Sequence, residues 1–173
     1  MVEIRAGGPG INYNVSMTKR LVLLITISLL IFQPVFSAEL KKQGLVKFSG
    51  KKDAVVLLEV AVTDEEKQRG LMNRPNLPEN RGMVFVFQPA KKITFWMKDT
   101  LISLDMIFIN RGKIVKIVKN AVPNQTNILY LSDFDVTEVI EVNGGFSDKH
   151  MISVGSRVLF KNIPQIDYSI MTK

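Results

Sequence analysis

The sequence contains no cysteine and a single histidine, His150. Without cysteine there are no disulfide bonds, no thiolate metal ligands, no cysteine nucleophile and no lipid-modified N-terminal cysteine, so the hydrophobic core alone must stabilise the fold. One histidine in a cysteine-free chain does not supply the ligands of a structural zinc site or a Rieske-type iron–sulfur site. We therefore predict neither a metal centre nor a cofactor.

The short motifs of several enzyme classes are also missing. The chain has no Gly-x-Ser-x-Gly nucleophile elbow, no phosphate-binding P-loop and no Gly-x-Gly-x-x-Gly dinucleotide fingerprint. The sequence therefore favours a protein that binds a ligand or partner over one that catalyses a reaction.

Charge and hydrophobicity favour a folded domain with a basic surface. The chain has 173 residues, of which 46% are hydrophobic, and this is enough for one domain with a substantial core. Its 23 lysines and arginines against 16 acidic residues give a net charge of +7. The lysines are spread along the chain rather than concentrated on one helix, so we predict no specific nucleic-acid binding.

The N-terminal region has the pattern of an export signal. Lys19 and Arg20 form a basic segment, residues 21–32 form a mainly apolar run, and Val35 and Ser37 suit the −3 and −1 positions of a signal peptidase site. The apolar run is shorter than the roughly 20 residues that span a bilayer. We predict an export signal over residues 1–37 that is cleaved after Ser37, with Met17 as an alternative start. The mature protein would be periplasmic or secreted and would have no membrane span.

The remaining chain divides into a basic N-terminal arm over residues 38–53, a single β domain over residues 54–160 and a C-terminal tail over residues 161–173. Thr63 and Glu66 form a capping-box pattern that begins a short helix reaching about Met72. A further helical turn is suggested by residues 146–150. Apolar or alternating segments predict strands at 54–62, 82–88, 93–100, 104–109, 113–119, 138–142 and 157–160.

Short strands separated by turns, with one short helix, predict a mainly β domain, a compact antiparallel β sandwich or barrel. Asn110-Arg111-Gly112 is typical of a hairpin turn between two of these strands.

Several spaced motifs resemble the family called domain of unknown function 192. In order along the chain they are Arg69-Gly70-Leu71-Met72-x-Arg74, Gly82-Met83-x-Phe85-x-Phe87, Phe95-Trp96-Met97-Lys98-x-Thr100, Leu104-Asp105-x-x-Phe108-Ile109 and Glu141-Val142-x-Gly144-Gly145. The resemblance covers residues 57–160 and departs from the family at Asp99, where asparagine is usual. It implies a compact, mostly β fold that is often exported, and it implies no activity or catalytic residues.

The candidate ligand-binding residues lie near turns and strand ends. Cationic and aromatic side chains can hold an anionic or sugar-like ligand through charge-assisted hydrogen bonds and stacking. We predict a binding site made of Arg69, Arg74, Trp96, Lys98, Thr100, Asp105 and Tyr130, for a small ligand or a partner protein. In the structural alternative, Arg74 and Lys98 pair with Asp99, Asp105 or Glu141 and tie loops to the sheet. The sequence gives no signal for an oligomeric state.

Asp105 lies in a strand that otherwise has the pattern of core. A buried carboxylate must be paired or hydrogen-bonded, and Lys98 is the partner that the sequence suggests. Such an acid and base pair could transfer protons, so a hydrolase or isomerase using Asp105 and Lys98 is the alternative function. A third alternative is an envelope assembly or interaction module with an exposed apolar patch.

Four methionines raise the question of a thioether site for Cu(I). They are Met72, Met83, Met97 and Met106. Because Met83 and Met97 alternate with phenylalanines in strand-like segments, we predict that these methionines pack in the core and bind no metal.

Overall fold

The computed structural model describes residues 42–49 and 53–166. The predicted export signal, its cleavage after Ser37 and the end of the predicted C-terminal tail lie outside these residues. Periplasmic or secreted localisation therefore stays a prediction.

The described residues form nine strands and two short helices. In chain order they are β1 (Gln43–Phe48), β2 (Ala54–Ala61), α1 (Asp64–Arg69), β3 (Arg81–Lys91), β4 (Thr94–Phe95), β5 (Leu104–Asn110), β6 (Lys113–Ala121), β7 (Tyr130–Leu131), β8 (Val136–Asn143), α2 (Phe146–Lys149) and β9 (Val158–Lys161). The prediction of a mainly β domain is confirmed.

Seven strands form one curled sheet, a half-barrel with the strand order β6-β5-β8-β3-β2-β1-β9. All pairs are antiparallel except β2 and β3, which are parallel because the chain crosses over through α1 between them. Near the two edges, Ile114 donates its backbone N–H to Ser156 and Gly155 donates to Ile114, at 3.0 and 2.8 Å. These bonds join the start of β6 to the segment before β9. Strands β4 and β7 form a separate two-stranded sheet.

The curled sheet has a hydrophobic core on each face. The barrel core lies on the concave face and includes Ile107, Ile109 and Ile140 with residues of all seven strands and α2. The outer core lies on the opposite face, beneath β4, β7 and their connecting loops. Its buried members are Ala61, Leu71, Leu77, Met83, Phe85, Phe87, Met97, Leu104, Met106, Phe108, Ala121, Val136 and Val139. Burial on both faces explains why residues 106–109 of β5 are all apolar.

The structure confirms several local predictions. Thr63 accepts a hydrogen bond from the Glu66 backbone, and the Glu66 carboxylate accepts one from the Thr63 backbone, so the capping box is present at the start of α1. The turn between β5 and β6 has Arg111 and Gly112 at positive φ, 48° and 74°, as a two-residue hairpin turn requires.

Three predicted boundaries are wrong. The arm over residues 38–53 contains β1, which pairs with β2 and β9. The tail over residues 161–173 begins inside β9, and its Ile163 and Ile166 are buried in the barrel core. The strand predicted over residues 93–100 is limited to Thr94 and Phe95.

Candidate functional site

A narrow groove lies between the end of α1 and the loop that follows β4. The α1 side contributes residues 67–72, the loop contributes Trp96 and Thr100, and the floor is formed by Phe85, Phe95 and Glu141. The enclosed space is about 30 Å³. This is about the volume of one water molecule in the liquid, so the groove admits a single small group.

Glu141 is the ionisable group at the floor of this groove. It lies on β8, its side chain is 5% exposed, and it forms no hydrogen bond with any other residue that the structure describes. Burial raises the pKa of Glu141 to about 8, although the positive charge of Arg74 acts in the opposite direction. At neutral pH the carboxyl is therefore mainly protonated, and it can both donate and accept a hydrogen bond.

Gly70 makes room for the groove at the end of α1. Its φ of 47° is a conformation that glycine adopts easily. A Cβ atom at this position would lie 3.3 Å from Phe85 Cζ and 3.9 Å from Glu141 Oε2. A side chain on residue 70 would therefore occupy the space above the Glu141 carboxyl.

Arg74 does not enter the groove. Its Nη1 and Nη2 atoms donate to Oε1 and Oε2 of Glu59 at 2.5 and 2.7 Å, which ties the loop after α1 to β2. This hydrogen-bonded pair raises the pKa of Arg74. The structural alternative was right that Arg74 forms an ion pair, but the hydrogen-bonded carboxylate is Glu59 rather than Asp99, Asp105 or Glu141.

Trp96, Lys98 and Thr100 lie in the irregular loop after β4. Trp96 is 44% exposed and borders the groove, and Lys98 Nζ lies 5.6 Å from the centroid of its ring. Thr100 is buried, and its hydroxyl donates to the Lys98 carbonyl at 3.2 Å. Asp99 turns this loop with a φ of 51°, which aspartate tolerates better than most residues.

The predicted pairing of Asp105 with Lys98 is wrong. Backbone N–H groups of Asn120, Gly145 and Ser147 donate to the Asp105 carboxylate at 2.9, 3.0 and 2.8 Å. The side chain is fully buried and connects β5 to the end of β6 and the start of α2. Asp105 is therefore a structural anchor that lies outside the groove.

The structure brings only part of the predicted site together. Arg69, Trp96 and Thr100 line the groove, and Lys98 is placed beside it over Trp96. Tyr130 packs on the outer core, and its hydroxyl accepts a hydrogen bond from Val122 N at 3.2 Å.

The sequence prediction missed Gln68 and Glu141 as residues of the groove. The available signal for Glu141 was a carboxylate between apolar residues of β8, although Glu138 on the same strand gives the same signal.

Three of the four methionines pack in the core as predicted, and Met72 does not. Met83, Met97 and Met106 are buried in the outer core, and Met72 lines the groove. Within residues 42–49 and 53–166, no three histidine or acidic side chains are grouped as a metal site.

A second, more open depression of about 430 Å³ lies beside α2. Its charged side chains are engaged, since Asp53 pairs with Lys47 at 2.7 Å and Glu79 pairs with Lys149. The ring of His150 stacks on Phe146 with centroids 4.4 Å apart. The smaller groove is therefore the stronger candidate site, because it contains a buried carboxyl without a hydrogen-bond partner in the described structure.

Neither described helix is long and apolar enough to cross a membrane.

No curated protein matches the chain. Several solved structures are similar to it, including the following two. A candidate transcription regulator from Sinorhizobium meliloti 1021 is 30% identical with a TM-score of 0.65, over 68% of this chain and 93% of that one. A protein of unknown function from Novosphingobium aromaticivorans DSM 12444 is 34% identical with a TM-score of 0.64, over 66% of this chain and 82% of that one.

The resemblance noted in the sequence extends over nearly the whole described domain. The model of DUF192, an uncharacterized ACR family, matches residues 45–160, from β1 to β9. By this match the chain belongs to the DUF192 family.

Proposed function

We propose that the protein is a non-catalytic binding module for a sugar-like ligand. One hydroxyl group of the ligand enters the groove and bonds to Glu141, and the rest of the ligand lies across the exposed face of Trp96. The observation that carries this proposal is the Glu141 carboxyl, which is buried at the floor of an open groove without a hydrogen-bond partner in the described structure. A buried polar group normally has such a partner, and a ligand hydroxyl would supply it.

The protonation state of Glu141 suits a hydroxyl better than an anion. With a pKa of about 8, the carboxyl is neutral at pH 7 and offers one donor and one acceptor. A hydroxyl has the complementary donor and acceptor. An ionised ligand group would instead be repelled as soon as Glu141 loses its proton.

The rim of the groove offers the contacts that a polyhydroxylated ligand uses. Trp96 presents a flat apolar surface on which the C–H face of a sugar ring can stack. Gln68 and Arg69 line the same groove and carry several hydrogen-bond donors. Since the enclosed space is only about 30 Å³, the ring itself must stay outside, as it does when an extended saccharide lies along a surface.

The alternative hydrolase or isomerase loses its geometric basis. Its proposed acid, Asp105, is surrounded by three backbone N–H donors and lies outside the groove. A general acid or base must reach the proton that it transfers, and this carboxylate is already occupied.

Trp96 is the only tryptophan, so its fluorescence reports directly on the site. We would titrate the purified protein at pH 7 with neutral oligosaccharides and, in parallel, with sugar phosphates and uronic acids. The proposal expects a saturable change with a neutral saccharide that weakens above pH 8, where Glu141 ionises. Saturation by the acidic sugars alone would favour an anion site and overturn the proposal.

Two substitutions at the groove floor sharpen the test. Glu141→Gln keeps a donor and an acceptor, so it should retain binding and lose the weakening above pH 8. Glu141→Leu removes both groups and should reduce affinity by about tenfold or more. Glu138→Gln is the matched control, because Glu138 is a buried carboxyl on the same strand but does not line the groove. Wild-type affinity in Glu141→Leu would contradict the proposal.

A further inference from the structure

The two-stranded sheet β4–β7 covers the outer core with one face and leaves the other exposed. Thr94 is paired with Leu131 and Phe95 with Tyr130. The inner face packs inward, since the ring of Phe95 lies 5.1 Å from Phe85 and 6.1 Å from Phe108. Alternation therefore turns Thr94 and Leu131 outward.

The pairing ends there, and Trp96 follows Phe95 in one loop while Leu129 precedes Tyr130 in the other. Trp96, Leu129 and Leu131 are 44%, 55% and 50% exposed, and we call these three residues the outer face of the small sheet. Ile128 and Phe134, at the two sides of β7, are also exposed. Of the eleven large hydrophobic side chains that are exposed in the described structure, seven lie between residues 96 and 134. The exposed hydrophobic side chains are thus concentrated in the part of the chain that contains this face.

Cationic side chains border the outer face. Lys98 lies over the Trp96 ring, and Lys92 is exposed two residues before Thr94. Neither lysine forms an ion pair with another described residue. The exposed acid Asp99 follows Lys98 in the loop, and Asp133, two residues after Leu131, is paired with Lys116 at 2.6 Å. The two lysines therefore offer an anionic partner positive charge that no described side chain pairs with.

We propose that the outer face of the small sheet docks on the surface of an anionic lipid bilayer. Tryptophan favours the interface between headgroups and acyl chains, and leucine side chains beside it insert at the same depth. The flanking lysines add attraction to anionic headgroups. This inference stands on the exposed surface and does not require the proposed saccharide ligand, although both would use Trp96 and would therefore compete for it.

The size of the face favours a lipid surface over a protein partner. The exposed parts of Trp96, Leu129 and Leu131 amount to on the order of 300 Å², given the total area of such side chains. A stable protein interface buries about 800 Å² on each partner and needs a complementary shape. Insertion into a bilayer interface requires no such complementarity, because lipids adapt to the side chains that enter.

Trp96 also provides the test, because it is both the only tryptophan and part of the face. The full-length chain would be mixed with phosphatidylcholine vesicles, with or without phosphatidylglycerol, in which the acyl chains are brominated near the headgroups. Quenching of Trp96 reports contact of this face with lipid even if another segment of the chain also attaches to the vesicle. We expect quenching at lipid concentrations about tenfold lower when phosphatidylglycerol is present, and loss of this difference at high salt.

Matched variants separate the outer face from general hydrophobic attachment. Leu129→Ser with Leu131→Ser should raise the lipid concentration for half-maximal quenching by about tenfold or more. Val55→Ser with Leu159→Ser is the control, because these residues are equally exposed but belong to β2 and β9. The control pair should behave as wild type.

Three results would overturn the inference. The first two are the absence of quenching by brominated lipid and equal quenching in both pairs of variants. The third is burial of Trp96 through concentration-dependent self-association without lipid, because this would assign the face to a second copy of the chain. Circular dichroism of each variant shows whether the substituted protein is folded, and Leu131→Thr provides a milder substitution with the β-propensity of the strand preserved.

Discussion

Two of the buried carboxyls, Asp105 and Glu141, lie on neighbouring strands but differ in their hydrogen bonding. Asp105, at the end of the barrel near α2, accepts hydrogen bonds from three backbone N–H groups. Glu141, beneath the outer layer, has no hydrogen-bond partner in the described structure and lines an open groove. A buried carboxylate whose partners are all internal stabilises the fold, whereas one whose partner is missing has unused capacity for a ligand.

The two hydrophobic cores also differ, in their side chains and in what covers them. The barrel core is built from aliphatic residues and phenylalanine on strands that are joined across the curled sheet. The outer core contains Met83, Met97 and Met106 and is covered by short strands and loops. Flexible thioether side chains and a loop covering can adjust to a ligand more easily than interlocked strands. The comparison therefore agrees with a structural role for the barrel and with the binding role that we propose for the outer layer.

The largest expected effect is at Asp105. In Asp105→Asn, an amide group must replace one carboxylate oxygen, so at least one of the three backbone donors loses its acceptor. We expect the free energy of unfolding to fall by about 3 kcal/mol. Urea denaturation measures this loss. Asp133→Asn is the control, because Asp133 is an exposed acid whose surface ion pair with Lys116 should contribute less than about 1 kcal/mol. Equal effects of the two substitutions on the free energy of unfolding would contradict the role of Asp105 as an internal anchor.

The next effect is a pH dependence that Glu141 controls. Burial raises the pKa of Glu141 to about 8 and that of Glu138 to about 7, from 4.5. Between pH 4.5 and the raised values, the unfolded chain has released protons that the folded protein keeps, so stability falls as pH rises. Glu138 contributes to this fall up to about pH 7, and Glu141 continues it to about pH 8.

Glu141→Gln tests this assignment. The variant should lose the part of the fall between pH 7 and 8, which is up to about 1.4 kcal/mol per pH unit for one group. Above pH 8 it should be more stable than the wild type. Denaturation curves at several pH values measure the difference, and Glu138→Gln should instead change the curve below pH 7. If Glu141→Gln follows the wild-type curve, Glu141 does not hold a proton in the folded state.

The smallest effect is expected at Lys98. Lys98 is exposed and stacks over Trp96, so Lys98→Met should change the free energy of unfolding by less than about 0.5 kcal/mol. A double-mutant cycle with Asp105→Asn should be additive, because the two side chains share no contact in the structure. A coupling energy above about 1 kcal/mol would instead support the ion pair between Lys98 and Asp105 that the sequence suggested.

Local patterns in the sequence predicted the elements that depend on near neighbours. The capping box at Thr63 and the hairpin turn at Gly112 are examples, because their hydrogen bonds and dihedral angles involve residues a few positions apart. The sequence patterns failed at β1, which lies in a lysine-rich segment and depends on two partner strands. They also failed at Ile163 and Ile166, because nothing near them in sequence shows that the barrel core continues past β9.

The candidate site shows the same difference between features that short-range patterns predict and features that depend on distant residues. Arg69, Trp96 and Thr100 were recognised by residue type, but the partners of Arg74 and Asp105 were not. Those partners come from strands and turns that are 15 to 42 positions away. An ion pair suggested from charge alone is therefore weak evidence, because many carboxylates compete for each cation and the fold decides which one is close.

The sequence by itself determined that this protein is a cysteine-free, mainly β domain of the DUF192 family, since these properties follow from residue supply, short-range patterns and matching motifs. Only the tertiary structure decided that Asp105 is an internal anchor and that Glu141 lies at the floor of a groove. The physical reason is that both outcomes depend on which backbone donors approach each carboxylate. For Asp105, that approach is set by how β5, β6 and α2 pack together, and for Glu141 by how β8, α1 and the loop after β4 pack together, in both cases across long sequence separations.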